Sequence, residues 1–238
     1  MCLNRLLAAR PPLALLGPLW NHAAMRSHQL AIHGHGMLPA LLALHLLART
    51  PQTDLVLLTS DPVIGGDQLE PVLADRLSAA SRALVEPFVV ARWADYLNTQ
   101  NGESVLHDDE VLLLDPVQVW LELQDLIEPA ALIADCGALS EDNGVLTWQG
   151  GQARIEQLID LAPLLGPPCE SEIVGLEALR WLGRPVLADY DAADAQWSAY
   201  QYLPLGDERA VIRKLPCQTD LLRAHSTFET LLNGLTAT

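Results

Sequence analysis

Basic side chains, paired cysteines and long apolar runs are all scarce in this sequence. Its 14 Lys and Arg residues are outnumbered by 30 Asp and Glu residues, and the formal net charge is −16. A surface with this charge repels phosphates, so nucleic acid is excluded as a partner. No apolar run reaches the ~18 residues that a membrane-spanning helix needs, so the sequence predicts no transmembrane segment and leaves only peripheral membrane contact.

The cysteines are few and far apart. They form neither a CxxC pair nor a Cys/His pair at zinc-ligand spacing: Cys2, Cys136, Cys169 and Cys217. The sequence therefore predicts no disulfide framework and no metal site. A cytoplasmic location, with or without association with a membrane surface, fits this composition.

The start of the chain differs from the rest. No Asp or Glu precedes Asp54, and the first 24 residues are apolar, basic and interrupted by three prolines. This pattern allows a secretory signal, a disordered leader or a translation start assigned too early; the prolines favour the last two. We predict a disordered leader over 1–26 and a single α/β domain over 27–238. Within the domain, 27–135 forms a dinucleotide-type part and 136–238 a substrate-side part.

Hydrophobic periodicity predicts that the domain begins with a βαβ unit. Gln29–His33 is a predicted strand, Met37–Ala48 a helix that is apolar on nearly all faces, and Asp54–Leu58 a parallel strand. A long helical stretch, divided by prolines, is predicted over Gln68–Tyr96. Further strands are predicted at Val111–Leu114, Ala131–Ala134, Pro185–Ala188 and Ala210–Ile212, and helices at Val117–Leu126, Ala153–Leu161 and Leu221–Leu232.

A glycine turn connects the first strand to the first helix. Gly34, Gly36 and Ala40 have the spacing GxGxxxA, in which glycines allow a sharp bend and let a pyrophosphate approach the backbone at the helix N-terminus. Pro39 stands where the stricter pattern has a third glycine, and it removes one N–H from the first turn of the helix. Two interpretations stay open: a dinucleotide-binding turn, or a packed strand-turn-helix that binds nothing.

A dinucleotide site also needs an acid at the end of the second strand, where a carboxylate holds the ribose hydroxyls. The sequence there is LLTSD over 57–61, in which the first acid, Asp61, lies two or three residues beyond the strand end. Its carboxylate reaches the site only if the turn folds back. An Asp before a proline is otherwise ordinary turn chemistry.

Several segments resemble bacterial lycopene beta-cyclases and occur in the same order as in that family. They are IHGHGMLPALLA at 32–43, DLVLLTSDPVIGG at 54–66, LVEPFVVARWADY at 84–96, VGLE at 174–177, RPVL at 184–187 and YLPL at 202–205. The resemblance implies an α/β, Rossmann-like FAD/NAD(P)-binding fold of the glutathione-reductase type. The fold is expected to be C-terminally shortened, because the chain ends about where a later glycine segment of the family would begin.

The resemblance also implies a cofactor and a substrate. The cofactor is FAD, and the substrate is lycopene or another carotenoid, whose polyene end is protonated and cyclised in a redox-neutral isomerase reaction. The cofactor contacts it implies are Gly34, Gly36, Ala40, Asp61, Gly65 and Gly66. The segment LIADCG at 132–137 resembles the family's Asp-Gly-Arg-Gly strand end, with Cys136 in place of the arginine.

Departures from the family pattern fall on the residues that carry its chemistry. Thr59 replaces the ribose-binding acid, and Arg213 stands where the family has an acid after its Leu-Pro-Leu strand. Glu177 and Asp189 are the remaining candidates for a catalytic acid. Two functions stay open: a lycopene cyclase-like enzyme of carotenoid biosynthesis with weakened or lost activity, or a non-catalytic binding or scaffold relative.

The leader yields a first testable prediction. A chain that starts at Met25 should keep the solubility and melting temperature of the full chain, because the proline-interrupted leader supplies no part of the predicted core. Differential scanning fluorimetry on both chains measures this. A clearly lower melting temperature for the shorter chain would show that the leader contributes to folding.

Overall fold

The computed structural model describes residues 25–100, 103–165, 170–175, 185–189, 199–205, 209–215 and 228–237. The strands are β1 Arg26–Gly34, β2 Leu55–Thr59, β3 Glu70–Leu73, β4 Val89–Trp93, β5 Tyr96–Gln100, β6 Glu103–His107, β7 Val111–Leu114, β8 Leu132–Ile133, β9 Ser140–Asp142, β10 Val145–Trp148, β11 Gly151–Asp160, β12 Glu170–Gly175, β13 Val186–Asp189, β14 Ala199–Leu205 and β15 Arg209–Leu215. The helices are α1 Leu38–Arg49, α2 Ala79–Val85, α3 Pro116–Leu126 and α4 at 228–236. Short 3-10 helices lie at Ala74–Arg76, Glu86–Phe88, Pro129–Ala131 and Ala162–Leu164.

The described strands form three sheets. The first has the order β8-β2-β1-β11-β10-β9, and its strands β8, β2, β1 and β11 run parallel. The second has the order β12-β15-β14-β13-β5-β6, and the third has the order β3-β7-β4. Every residue of β2 is buried, as expected of a parallel strand that is covered on both faces.

The main core lies where α1 packs on the first sheet. Eight of the twelve residues of α1 are buried, and the helix contacts β1, β2 and α3. Pro39 falls in the first turn of α1, where a missing N–H removes no intrahelical hydrogen bond. Asp115 caps α3 by accepting the Val117 N–H at 2.9 Å. The two helices are therefore held against the strands that end at the glycine turn.

The predicted βαβ unit is confirmed as β1, α1 and β2. The predicted strand at β7 and the predicted helix at α3 are also confirmed, and short strands occur as predicted at β8, β13 and β15. The predicted helix over Leu221–Leu232 falls partly on residues 221–227, which lie outside the described residues. Residues 228–236 of the chain are helical.

The predicted helix over Ala153–Leu161 is wrong, because this segment is strand β11. Burial alternates along it: Ala153 and Ile155 are buried, whereas Arg154 and Glu156 are exposed. The residue types favour a helix, but pairing with β1 on one side and β10 on the other overrides that local preference.

The long helical stretch predicted over Gln68–Tyr96 is also wrong. It contains strands β3 and β4, and only the seven residues of α2 form an α-helix. Ser78 starts α2 by accepting the Ser81 N–H at 3.1 Å. Both strands pair with β7, whose four residues are all buried. The helix prediction failed because these pairings join residues far apart in the sequence.

Among the described residues, no helix is both long and apolar enough to cross a membrane.

Candidate functional site

The glycine turn lies at the carboxyl ends of the parallel strands of the first sheet. β1 ends at Gly34, with Thr59 of β2 as its register partner on one side. On the other side, His33 is the register partner of Asp160 at the end of β11. Parallel α/β sheets bind their ligands at this edge, so these residues are the first candidates for a functional site.

The turn after β2 does fold back toward the glycine turn. The Gly36 N–H donates a hydrogen bond of 2.5 Å to Asp61 Oδ2, and the Thr59 hydroxyl donates to the same oxygen at 3.2 Å. The Asp61 N–H donates in return to Thr59 Oγ1 at 3.1 Å. The structure therefore brings Thr59, Asp61 and Gly36 together, as the interpretation of Asp61 as a site residue required.

Backbone hydrogen bonds fix this returning turn in place. The Asp135 N–H donates to the Asp61 carbonyl at 2.8 Å, and the Cys136 N–H donates to the Thr59 carbonyl at 3.0 Å. The Ser60 N–H donates to the Gly34 carbonyl at 3.3 Å. The segment after β8 thus holds the Asp61 turn from the side opposite to the glycine turn.

The glycine pair after β2 packs on two neighbouring segments: Gly66 lies against the glycine turn, and Gly65 lies against Pro116 at the start of α3. The φ angles of Gly65 and Gly66 are +86° and +88°, a region that favours glycine. A Cβ atom on Gly66 would lie 3.2 Å from the Cα of Gly36, so a larger residue would push the two segments apart. Gly66 therefore approaches the Cα of Gly36 closely, whereas the space into which a Cβ atom on Gly36 would point is open.

Side chains also fill the space over the first glycine. A Cβ atom on Gly34 would meet Pro39 Cγ at 2.7 Å and the side chains of Leu161 and Leu165 at 3.3 Å. The Leu161 N–H donates to the His33 carbonyl at 2.8 Å, so the end of β11 is held against β1. Pro39 occupies volume that a third glycine would leave open.

These residues do not fit the pyrophosphate of a bound dinucleotide. The Gly36 N–H is already bonded to a carboxylate, and Pro39 has no N–H to offer. Leu38 and Ala40, at the start of α1, are buried. A phosphate charge about 4 Å from the Asp61 carboxylate would be repelled by about 4 kcal/mol at an effective dielectric constant of 20. A dinucleotide would have to displace Asp61 from the turn before it could bind there.

A His-Asp pair joins the ends of β1 and β11 beside the turn. His33 Nδ1 lies 2.8 Å from Asp160 Oδ1, and the same oxygen accepts the Ala162 N–H at 3.1 Å. The His33 side chain is buried, whereas Asp160 is exposed. Sequence reasoning missed Asp160 because its strand was predicted as a helix; the alternation of apolar and polar residues over 153–156 was the available signal.

Among the remaining predicted site residues, Ala40 lies in the first turn of α1, next to the glycine turn, and its side chain is buried. Asp189 ends β13 in the second sheet, with Ala199 as its register partner. Glu177 lies outside the described residues. Cys136, from the segment that resembles the family's Asp-Gly-Arg-Gly strand end, is fully buried after β8, which pairs with β2 and not with β1. Burial raises the pKa of its thiol.

No described group of three or more His, Cys, Asp and Glu side chains could hold a metal ion. A carboxylate that sequence reasoning missed is Glu229 on α4, which is buried and lies away from the turn against β3. The sequence predicted a helix at this position, but no local pattern indicated its contact with Leu73, 156 residues earlier.

No family model matches this sequence, and no curated protein matches it. Solved structures do match. A geranylgeranyl bacteriochlorophyll reductase-like protein from Thermoplasma acidophilum has a TM-score of 0.54 at 11% identity, covering 89% of this chain and 64% of that one. A flavoprotein/dehydrogenase from Cytophaga hutchinsonii has a TM-score of 0.51 at 9% identity, covering 90% and 64%. The p-nitrophenol 4-monooxygenase of Pseudomonas putida has a TM-score of 0.50 at 14% identity, covering 89% and 65%.

The chain therefore shares the Rossmann-type α/β fold of these three structures, which confirms the predicted fold class. It spans less than two thirds of the length of the three structures. Identities of this size show the fold alone, so the resemblance to lycopene cyclases stays a prediction.

The Asp61 contact can be tested in solution. Replacing Asp61→Asn should lower the free energy of unfolding by about 1 kcal/mol, because a charge-assisted hydrogen bond becomes a neutral one. The Gly36 amide proton should shift upfield in the ¹H–¹⁵N spectrum and exchange faster with solvent. Asp67→Asn is the matched control, since Asp67 is an exposed acid in the same loop. An unchanged Gly36 resonance in Asp61→Asn would disprove the contact.

Proposed function

We propose that this chain is a lycopene cyclase-like protein that has lost flavin-dependent cyclisation and acts as a non-catalytic binding or scaffold protein. The observation that supports the proposal most directly is the hydrogen bond that the Gly36 N–H donates to the Asp61 carboxylate. That N–H lies in the turn which presents its backbone to a dinucleotide in Rossmann-type folds. In this chain the Gly36 N–H already donates its hydrogen bond to a carboxylate of the protein itself.

The packing around the turn supports the same proposal. Gly66 lies against Gly36, and Pro39, Leu161 and Leu165 surround Gly34. Opening this space for a cofactor would expose apolar side chains and break the Asp61 contact. Cofactor binding would have to supply the free energy for both changes.

The sequence departures support a loss of the reaction itself. Arg213, in β15, stands where the resemblance places an acid. A guanidinium does not release its proton at any accessible pH, because its pKa exceeds about 12. It would also repel a developing carbocation, by about 4 kcal/mol at a separation of ~4 Å and an effective dielectric constant of 20. If Arg213 instead faces solvent, the acid must come from elsewhere, with Glu177 or Asp189 as the candidates.

A second candidate function is a cyclase-like flavoenzyme with weakened activity. One observation favours it: the Asp61 carboxylate lies 3.2 Å from the Thr59 hydroxyl, at the end of β2 where a ribose-binding acid is expected. Asp61 would then hold the adenosine ribose of FAD in place of the missing acid. The two candidates predict opposite effects of removing the Asp61 carboxylate.

Flavin binding separates them. After incubation with excess FAD and gel filtration, the wild-type chain should elute without the flavin absorption bands, because its turn is occupied. ADP titrated calorimetrically into Asp61→Ala should bind at least tenfold more tightly than into the wild type, since the like-charge repulsion is gone. Asp67→Ala should resemble the wild type.

Two results would refute parts of this proposal. Stoichiometric flavin on the wild-type chain, lost in Asp61→Ala, would establish Asp61 as the ribose-binding acid and favour the weakened enzyme. Equal ADP affinity in wild type and Asp61→Ala would show that the Asp61 charge does not close the turn. The melting temperature of each variant checks that it is folded.

Cyclase activity is tested in cells. Lycopene-accumulating bacteria that express this chain should contain no more beta-carotene or gamma-carotene than cells carrying the empty vector, because Arg213 supplies no proton and the Asp61 contact opposes binding of the cofactor. Chromatography of the extracted pigments measures this, with an active lycopene cyclase as positive control. Cyclised product above the empty-vector level would refute the loss of cyclisation.

A further inference from the structure

Helix α4 is hydrogen-bonded to a segment about 155 residues earlier in the sequence. Three of its residues lie on one helix face, at positions i, i+4 and i+7: Glu229, Asn233 and Thr236. All three hydrogen-bond to the chain between β3 and α2, residues 73–81, and their partners are 155 to 158 residues away. We call this set of contacts the α4 clasp.

The last two turns of the helix carry the neutral part of the α4 clasp. Asn233 Oδ1 accepts the Ser78 N–H at 2.7 Å, and its Nδ2 donates to the Arg76 carbonyl at 2.8 Å. Thr236 Oγ1 lies 2.7 Å from Ser81 Oγ. These contacts satisfy donors and acceptors on both sides without any ionised group.

An apolar face of α4 packs into the main core. Phe228 and Leu232 belong to the same buried cluster as α1 and β2. Detaching the helix would therefore expose apolar surface of the core. Helix α4 thus contributes apolar side chains to the main core as well as holding residues 73–81.

Glu229 is the ionisable side chain of α4 in the α4 clasp, and its carboxylate has few hydrogen-bond partners. The residue is 2% exposed. Its Oε1 accepts the Leu73 N–H at 2.9 Å, whereas its buried Oε2 has no hydrogen-bond partner in the described part of the chain. The nearest cation, Arg76 Nη1, lies 3.8 Å from Oε2. A buried carboxylate with one hydrogen bond and a distant cation costs free energy whenever it is ionised.

The groups that face Glu229 do not remove this cost. Arg76 comes from the 3-10 helix after β3, Glu70 from β3 and Tyr96 from β5, while α4 carries no other charged side chain over 228–237. Burial raises the pKa of Glu229 to about 7, against the opposing effects of the Leu73 N–H and Arg76 and with a further increase from Glu70.

We propose that the contacts of the α4 clasp depend on pH. Protonated Glu229 holds residues 73–81 against α4, and ionisation of Glu229 loosens α4 at neutral to alkaline pH. This inference does not depend on whether a flavin binds. It assigns Glu229 a regulatory role in exposing the core face beneath α4.

The direction of the pH effect follows from the state, folded or detached, in which Glu229 binds its proton more tightly. The pKa of Glu229 in the folded protein is about 7, above its ordinary value of 4.5, so the folded chain binds this proton more strongly than the detached helix. The contribution of Glu229 to closure is fully present below pH 4.5, is lost as the pH rises to 7, and stays absent above that. The full change corresponds to about 300-fold in the opening equilibrium constant.

Hydrogen exchange measured by mass spectrometry on the full chain tests the proposal between pH 5 and 8. After correction for the intrinsic exchange rate at each pH, protection of the peptides covering 73–81 and 228–236 should fall by at least tenfold as the pH rises. The peptide covering β2 should keep its protection. Glu229→Gln should remove the pH dependence, because a neutral amide has the same charge at every pH. Glu122→Gln, at an exposed position of α3, is the control and should behave as wild type.

The second variant is Arg76→Gln, which removes the nearby cation and should move the wild-type transition to higher pH. It keeps the test decisive if Glu229→Gln fails to fold. The proposal is overturned if wild type and Glu229→Gln lose protection in parallel, if the transition is unmoved in Arg76→Gln, or if β2 loses protection together with α4.

Discussion

The hydrogen bond between the Gly36 N–H and the Asp61 carboxylate determines the arrangement of the carboxyl edge of the first sheet. It draws the turn after β2 back over the glycine turn, and the backbones of Asp135 and Cys136 then bond to the far side of that turn. A helix N-terminus presents free N–H groups and a partial positive charge, so it favours an anion. In this protein the anion is a side chain of the same chain.

Residues of the chain itself take up part of the volume and one hydrogen bond of the glycine turn. Pro39, Leu161 and Leu165 enclose Gly34, and Gly66 lies on Gly36. A ligand stabilises a fold only when it is bound and in excess of its dissociation constant, whereas intramolecular contacts act at every concentration. The first sheet and α1 therefore keep a Rossmann-type geometry for reasons of packing, and the same geometry does not by itself indicate catalysis.

The sequence predicted those elements whose structure depends on their own residues. β2 and α1 are continuous apolar segments, and their burial on several faces is readable from composition alone. β11 was not predicted, because its Glu, Gln, Leu and Ala residues suit a helix and only its place between β1 and β10 makes it a strand. The return of Asp61 could be stated from the sequence only as a condition. It depends on contacts with Gly36 and with residues about 75 positions later, Asp135 and Cys136, which no local pattern contains.

Two carboxylates show how the number of donors decides what an acid does in this structure. Asp61 is partly exposed and accepts two hydrogen bonds on one oxygen, so donors of the chain compensate its charge. Glu229 is almost fully buried, accepts one hydrogen bond and faces a cation that is 3.8 Å away. A compensated charge stabilises one conformation over a wide pH range, whereas an uncompensated one makes stability depend on the proton. Helix α4 is therefore expected to be a part of the core that responds to pH.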